Sequence, residues 1–222
     1  MSGYTWDFSL LWGYRWVFAA GLGYTLAYTA ACVVLGLALG IAVGIARLSR
    51  RIWVTVPLVA YVELFRCTPL LVQLVWFYYA LPVLSGIEMS APTAAVLTLS
   101  LYGGAFYAEI VRGGIVSIER GQWDAARAIG MTRGLIMRRI ILPQALKRMT
   151  PPLMNQSIIQ LKNTSLVSVL AVADLLYQGQ VITAATYRPL EVYTMTAALY
   201  FAVLFPMTLG VQALERRLAK SD

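Results

Sequence analysis

Long apolar runs separated by short polar stretches dominate this chain of 222 residues. Five runs are long enough for a helix that crosses a lipid bilayer, which takes about 20 residues. They cover approximately 17–46, 54–81, 93–115, 149–172 and 192–214. The pattern predicts an all-α polytopic membrane protein with about five transmembrane helices, organised as a single domain over residues 1–222.

Two of the runs contain residues that control how helices pack and bend. Glycines at positions 36, 40 and 44 recur at four-residue spacing in the first run, and small residues at this spacing allow two helices to approach closely. In the second run Pro69 has no backbone N–H to donate. We therefore expect a kink near Arg66 and Thr68.

The composition excludes several classes of protein. Hydrophobic residues make up 59% of the chain and charged residues 13%, with a mean hydropathy of +0.70, whereas a soluble domain needs far more polar surface. Histidine is absent, which rules out histidine-based acid–base catalysis and histidine metal sites. Cys32 and Cys67 lie within apolar runs and are interpreted as packing residues rather than as a disulfide.

Basic residues give the chain a net charge of +8 and also predict its orientation. Three follow the first run, eight lie between the third and fourth runs, and three follow the fifth, whereas only Arg15 and Arg188 fall on the other side. Because cytoplasmic loops carry the excess of Lys and Arg, the N-terminus is predicted outside and the C-terminus in the cytoplasm. No basic domain stands apart from the apolar runs, so nucleic acid is not an expected partner.

The longest polar gap, about 117–143, is predicted to face the cytoplasm and to contain short helices. We expect Asp124 to open the first helix, where a negative charge meets the positive end of the helix dipole, and Gly130 to end it. Thr132 is expected to cap a second helix and Pro143 to stop it. The first helix is too short to be stable alone in water, and an exposed face with Trp123 and small alanines suits a groove on another protein.

Polar residues inside the apolar runs are energetically costly in a membrane, so each is expected to have a partner or a functional role. Glu63 and Arg66 lie three residues apart, so they can pair on one helix face. Lys162 has no partner within its own run, and a carboxylate of a passing solute would neutralise it. The polar stretch 160–165 also predicts a broken helix that lines a cavity. The candidates for a substrate pathway are the polar residues of these two runs: Glu63, Arg66, Thr68, Gln73, Lys162, Asn163, Thr164 and Ser165.

Charged pairs in the apolar runs also have structural interpretations. The second run can begin later, which places Arg66 at the cytoplasmic interface with its side chain reaching water. The Glu63–Arg66 pair is then a structural lock. Glu109 and Arg112, again three residues apart, are interpreted as an interfacial salt bridge that anchors the third run.

The polar gap carries a spacing that resembles a known family. Asp124-Ala125-Ala126, Gly130, Ile140 and Leu142-Pro143 fall on the pattern of the EAA loop of binding-protein-dependent ABC importer permeases, with Asp124 in place of the usual Glu. The resemblance implies the type I permease fold of ABC importers and a coupling helix that docks into a cytosolic ATPase. The implied coupling residues are Gly121, Gln122, Trp123, Asp124, Ala125, Ala126 and Gly130.

Further segments resemble permeases of polar amino-acid uptake systems, the branch for histidine, glutamine, arginine and glutamate/aspartate. They are residues 63–73, 121–123 and 162–166. The resemblance implies a permease subunit in the bacterial plasma (inner) membrane. Its implied partners are two cytosolic ABC ATPases, a second identical or homologous permease, and a periplasmic or extracellular amino-acid-binding protein. Asn163 stands where the family often has an acidic residue, which favours glutamate/aspartate or glutamine as the substrate.

The energy source is expected outside this chain. No Gly-x-x-x-x-Gly-Lys-Ser/Thr loop is present, so the chain is not expected to be an enzyme, and ATP and Mg²⁺ are expected in the partner ATPase rather than as cofactors here. An ion-gradient-driven secondary carrier is one alternative, but such carriers usually have more spans and inverted repeats. A membrane scaffold is another alternative. Glu63, Arg66 and Lys162 speak against it, because a scaffold does not need embedded charges.

Overall fold

The structure, a computed structural model, describes residues 4–219, and helices account for most of that range, which contains no strand. A 3₁₀ turn, Ser9–Tyr14, leads into α1, Arg15–Ala46. The remaining helices, in chain order, are α2 Ile52–Cys67, α3 Leu70–Ser85, α4 Ala91–Val116, α5 Arg120–Ala128, α6 Arg133–Leu170, α7 Leu175–Thr186 and α8 Pro189–Ala219.

Three of these helices, α1, α4 and α8, are each long and apolar enough to cross a membrane. Two further crossings arise if each bent pair counts as one span. These pairs are α2 with α3, bent by 109°, and α6 with α7, bent by 45°. Three to five spans in the described range agree with the predicted number and confirm the all-α polytopic class.

The most extensive helix pairing joins α1 to α4 through the predicted glycine face. A Cβ placed on Gly40 would come within 2.3 Å of the Tyr107 Cβ, and one on Gly44 within 2.7 Å of the Ala108 carbonyl oxygen. Any side chain at either position would therefore push the two helices apart. The predicted close approach through small residues is confirmed.

The kink at Pro69 is confirmed, and its size of 109° far exceeds the roughly 20° that already counts as sharp. α2 ends at Cys67, Thr68 adopts an extended conformation with φ −113° and ψ 141°, and α3 begins at Leu70. A residue before proline avoids the helical region because the proline ring clashes with its backbone. Two extended residues, Thr68 and Pro69, are thus enough to redirect the chain.

Pro143 does not stop the helix that follows Thr132, so that prediction is wrong. Thr132 takes the N-cap position, although its side chain makes no capping hydrogen bond. A π-helical turn, Met137–Ile141, widens α6 just before Pro143, and the Leu142 N–H donates to the Met137 carbonyl five residues back. The wider turn shifts the hydrogen-bond ladder, so a residue without an N–H is accommodated and α6 runs on.

Connections between helices gather at two ends of the bundle. At the first, here called the loop end, an apolar cluster joins the C-terminal part of α4 to α5 and the start of α6. At the other, the Tyr4 hydroxyl and the Asp7 N–H donate to the fully buried Glu191 carboxylate, which Arg188 also contacts over 3.3 Å. The basic loop and the N-terminal segment therefore lie at opposite ends. The assignment of the loop end to the cytoplasm stays a prediction.

Candidate functional site

The helix predicted for coupling, α5, begins earlier than the sequence suggests. Glu119 is the last extended residue, with ψ 138°, and Arg120 is the first helical one. Asp124 lies in the second turn, so the prediction that it opens the helix and meets the dipole there is wrong. It pairs instead with Arg127 at 3.3 Å, one turn further along an exposed face.

The end of α5 at Gly130 is confirmed, and it has the geometry of a Schellman motif. Gly130 adopts φ +79°, its N–H donates to the Arg127 carbonyl over 2.9 Å, and the Met131 N–H donates to the Ala126 carbonyl over 3.1 Å. No atom outside residues 129–131 lies within 4 Å of where a Gly130 Cβ would stand. Glycine is therefore needed for its backbone conformation and not for space.

The faces of α5 differ from the predicted ones. Trp123 and Ala126, three residues apart, point inward and pack against the apolar cluster of the loop end, with Ala126 only 3% exposed. The prediction that Trp123 lies on the exposed face is therefore wrong. The outer face includes the exposed residues Gly121, Gln122, Asp124, Ala125, Arg127, Ala128 and Ile129. Ile129, which is 77% exposed, was missed because it stands outside the family pattern.

Polar contacts join the spans to one another at the loop end. Glu109 binds Arg112, as predicted, and it also binds Arg47, whose side chain is only 7% exposed. At the same end Arg148 Nη1 donates to the Ser117 carbonyl over 2.6 Å. α1, α4 and α6 are thus connected where α5 packs, so a displacement of α5 would reach three long helices.

Two of the predicted pathway residues, Glu63 and Arg66, form the expected ion pair at 3.4 Å. Their side chains are 49% and 36% exposed, and the Arg66 guanidinium also stands 5.9 Å from the centre of the Phe106 ring. The pair lies one turn before the bend at Pro69. A positive group is thus held beside the bend.

Thr68 and Gln73 serve the bend itself. Gln73 is buried, and its Nε2 donates to the carbonyl oxygens of Phe65 and Thr68, each over 3.1 Å. The Thr68 hydroxyl accepts from the same nitrogen and donates to the Leu64 carbonyl over 2.6 Å. These contacts satisfy carbonyl groups that lack helical partners at the break.

The polar stretch 160–165 lies where α6 changes from an α-helix to a 3₁₀ helix, at Thr164. The break itself comes later than predicted, after Leu170, where Ala171 adopts φ 54°. Lys162 is exposed and pairs with no carboxylate in the described range. Asn163 has a buried Nδ2 without a hydrogen-bond partner among residues 4–219. The hydroxyls of residues 164 and 165 donate to carbonyls of their own helix.

The bend between α2 and α3 packs against the end of α6. Leu70 and Leu74 of α3 share one apolar cluster with Val167 and Leu170 of α6. A cleft of about 420 Å³ lies beside the bend and is lined by Leu64, Phe65, Thr68, Val72, Gln73, Trp76 and Phe77. Of the predicted pathway residues, two line this cleft, and residues 162–165 lie on the neighbouring segment of α6 instead.

Residues 34–220 match the protein family described as binding-protein-dependent transport system inner membrane component. The glutamine transport system permease protein of Escherichia coli (strain K12) is 41% identical over 161 residues, which cover 72% of this chain and 74% of that protein. The octopine transport system permease protein of Rhizobium meliloti is 40% identical over 167 residues, 72% of this chain and 68% of that protein.

Solved structures share the fold. A chain from the crystal structure of an amino acid ABC transporter with histidines has a TM-score of 0.92 and 37% identity, and the match covers 96% of this chain and 100% of that one. A chain of an inward-facing methionine ABC transporter has a TM-score of 0.76 at 21% identity, covering 91% and 96%. The second likeness concerns the fold alone.

Proposed function

This chain belongs to the family of binding-protein-dependent transport system inner membrane components, and on that premise we propose that it is the permease subunit of an ABC importer for glutamine. The observation that carries the proposal is α5. This short helix has an inner face packed against the ends of the spans and an outer face free for a partner. The sequence contains no phosphate-binding loop, so we assign ATP hydrolysis to a neighbouring subunit. A helix with these two faces can transmit the motion of that subunit to the spans.

The partner for α5 is a cytosolic ATPase that binds ATP and Mg²⁺. Gly121, Gln122, Asp124 and Ala125 supply contacts on the outer face of α5, and Gly130 holds the helix end in position. Trp123 and Ala126 lie on the inner face of α5 and attach the helix to the apolar cluster of the loop end. ATP-driven movement of the partner would then tilt α5 and rearrange α1, α4 and α6.

The substrate pathway passes the bend between α2 and α3 and the polar stretch of α6. Arg66 and Lys162 carry positive charge that suits the carboxylate of an amino acid. The first turn of α3 adds backbone N–H groups that no earlier carbonyl accepts. Asn163 Nδ2 lacks a partner in the described chain and offers a neutral amide to a neutral side chain. Half-buried Ser165 continues the polar wall, whereas Thr164 is fully buried and donates to a carbonyl of its own helix.

Glutamine is preferred over glutamate and aspartate for a second reason. Two of the relatives at 41% identity, from Escherichia coli and Bacillus subtilis, are glutamine permeases by name, one of them as a probable one. The proposed assembly contains two ATPases, a second permease and an external amino-acid-binding protein in a bacterial inner membrane. The N-terminus then lies outside, because the loop end must face the ATPase.

The proposal is tested by reconstituting the whole complex in vesicles and measuring uptake of radiolabelled glutamine with and without internal ATP. Each of the twenty amino acids is then added as an unlabelled competitor. We expect ATP-dependent uptake that glutamine suppresses most strongly, with glutamate weaker. Stronger suppression by glutamate would identify glutamate, and not glutamine, as the preferred substrate. Uptake that requires an ion gradient and ignores ATP would instead identify a secondary carrier and overturn the proposal.

A further inference from the structure

Pro69 removes one identifiable hydrogen bond from the α2–α3 segment. In a continuous helix the N–H of residue 69 would donate to the carbonyl of Phe65, four residues earlier, and proline has no such hydrogen. The structure replaces that bond from another place in the chain. Gln73 Nε2 donates to the Phe65 carbonyl oxygen over 3.1 Å.

The same side chain also serves the extended residue at the break. Gln73 Nε2 lies 3.1 Å from the Thr68 carbonyl oxygen and also contacts the Thr68 hydroxyl. Meanwhile the backbone N–H of Gln73 donates to the Pro69 carbonyl and closes the first turn of α3. One residue thus binds the last turn of α2, the extended break and the first turn of α3. Its side chain is 7% exposed, so water does not compete strongly for these carbonyls.

We propose that Gln73 is a positioning residue that holds α2 and α3 at their angle and thereby places Thr68 and the first turn of α3 in the substrate pathway. This inference rests on the proposed function. It changes the role predicted for Gln73, because its Nε2 is occupied by Phe65 and Thr68, while its Oε1 is buried and makes no hydrogen bond within the described residues. Gln73 acts on transport through the geometry of the bend.

Two side chains of similar length lack the N–H groups that glutamine supplies here. Glutamate has the same length but, when ionised, only accepts hydrogen bonds and would repel the two carbonyl oxygens. Methionine has a similar length and no N–H, so it would leave the carbonyls of Phe65 and Thr68 buried and unsatisfied. With methionine at position 73, opening of the bend becomes more favourable, because it lets other hydrogen-bond donors reach these carbonyls.

The angle can be measured by spin labels on Trp53→Cys and Val83→Cys, whose native side chains are 89% and 83% exposed, near the far ends of α2 and α3. Cys67 is exposed, so its interpretation as a packing residue is wrong, whereas that of buried Cys32 is confirmed. Cys67→Ser removes the exposed thiol, and Cys32 is left in place. Helices bent by 109° separate these positions by about 25 Å, whereas a straight helix would separate them by about 45 Å.

We expect Gln73→Met to shift and broaden this distance distribution towards longer values. The double variant Gln73→Met/Pro69→Ala should shift it furthest, because an alanine at position 69 has an N–H that can reach the Phe65 carbonyl in a straight helix. Pro69→Ala alone should keep the short distance. A Gln73→Met distribution identical to the wild type would overturn the inference. Gln144→Met is the matched control, because Gln144 also donates to a carbonyl, that of Ile140, but beside no bend.

Transport in the reconstituted complex gives the second measurement. Gln73→Met and Gln73→Glu should each lower the maximal rate of glutamine uptake about tenfold or more, as expected when buried carbonyls lose their donors. Assembly with the ATPase and the half-saturating glutamine concentration should not change, since the first depends on α5 and the second on the proposed external binding protein. An unchanged maximal rate would contradict the inference. If the wild type does not transport glutamine, the proposed function fails, and the distance measurement still decides the role of Gln73.

Discussion

Replacing Gly130 tests the coupling helix through the backbone alone. The residue adopts φ +79°, and no atom outside residues 129–131 lies within 4 Å of the place where a Cβ would stand. A side chain would therefore meet no steric obstacle outside its own backbone. Gly134, in the following helix, also has open space around it but has no positive φ. Gly130→Ala and Gly134→Ala thus form a matched pair that separates conformation from crowding.

The expected magnitude follows from the cost of the left-handed conformation. A residue with a Cβ pays roughly 1–2 kcal/mol there, more if it is β-branched, and asparagine pays least. Because α5 has only nine residues, it has little intrinsic stability to absorb this loss. A change of about 1–2 kcal/mol reduces the population of the native helix end relative to alternatives by a factor of about 5 to 30.

The assay is glutamine uptake together with ATPase activity of the reconstituted complex. We expect the coupling ratio, glutamine molecules imported per ATP hydrolysed, to fall in the order wild type, Gly130→Asn, Gly130→Ala, Gly130→Val. Gly134→Ala should remain at the wild-type value, and thermal unfolding of the spans should not change in any variant. A wild-type ratio in Gly130→Val, or equal losses with asparagine and valine, would refute the conformational role of Gly130.

Four further predictions concern packing, coupling, substrate and orientation. Gly40→Ala should lower the melting temperature of the purified complex, because overpacking costs about 1–3 kcal/mol, whereas Gly23→Ala in the same helix, with no atom within 4 Å, should not; equal melting temperatures would contradict the α1–α4 packing argument. Asp124→Lys should uncouple uptake from ATP hydrolysis while the spans stay folded, and unaffected uptake would count against the coupling role. Lys162→Ala should reduce glutamine uptake without affecting ATPase assembly; lost assembly would indicate a structural role. Gly121→Cys should react with an impermeant thiol reagent only from the cytosolic side, and external labelling would reverse the predicted orientation.

The sequence predicts the helices better than it predicts how they bend and which way they face. Hydropathy alone locates the long spans, because burial in lipid acts on each segment separately. Pro69 marks its bend, since the missing N–H is a local property. The size of that bend is not local, because it depends on Gln73 and on packing of α3 against α6. The sequence supplies the position of the break and tertiary contacts supply the angle.

Two predictions for the loop are wrong because each depends on the surrounding structure and not on a single residue. Pro143 is compatible with a continuing helix only because a π-helical turn precedes it. No single residue in that turn predicts a π-helical conformation. The sequence pattern places Trp123 on the outer face, where the family's loop docks. In the structure, however, Trp123 lies on the inner face with Ala126 and packs against the apolar cluster of the loop end. Orientation around a helix axis is decided by the neighbours a helix meets.

The contact between Tyr4 and Glu191 also affects how the protein is made. The two residues are 187 positions apart, and the Asp7 N–H reaches the same carboxylate. A ribosome must therefore release nearly the entire chain, and the last helix must enter the bilayer, before the first residues find their place. Closing so long a loop comes late in any folding sequence. This clasp therefore forms only after α8 is in place, at the end of the folding of this chain.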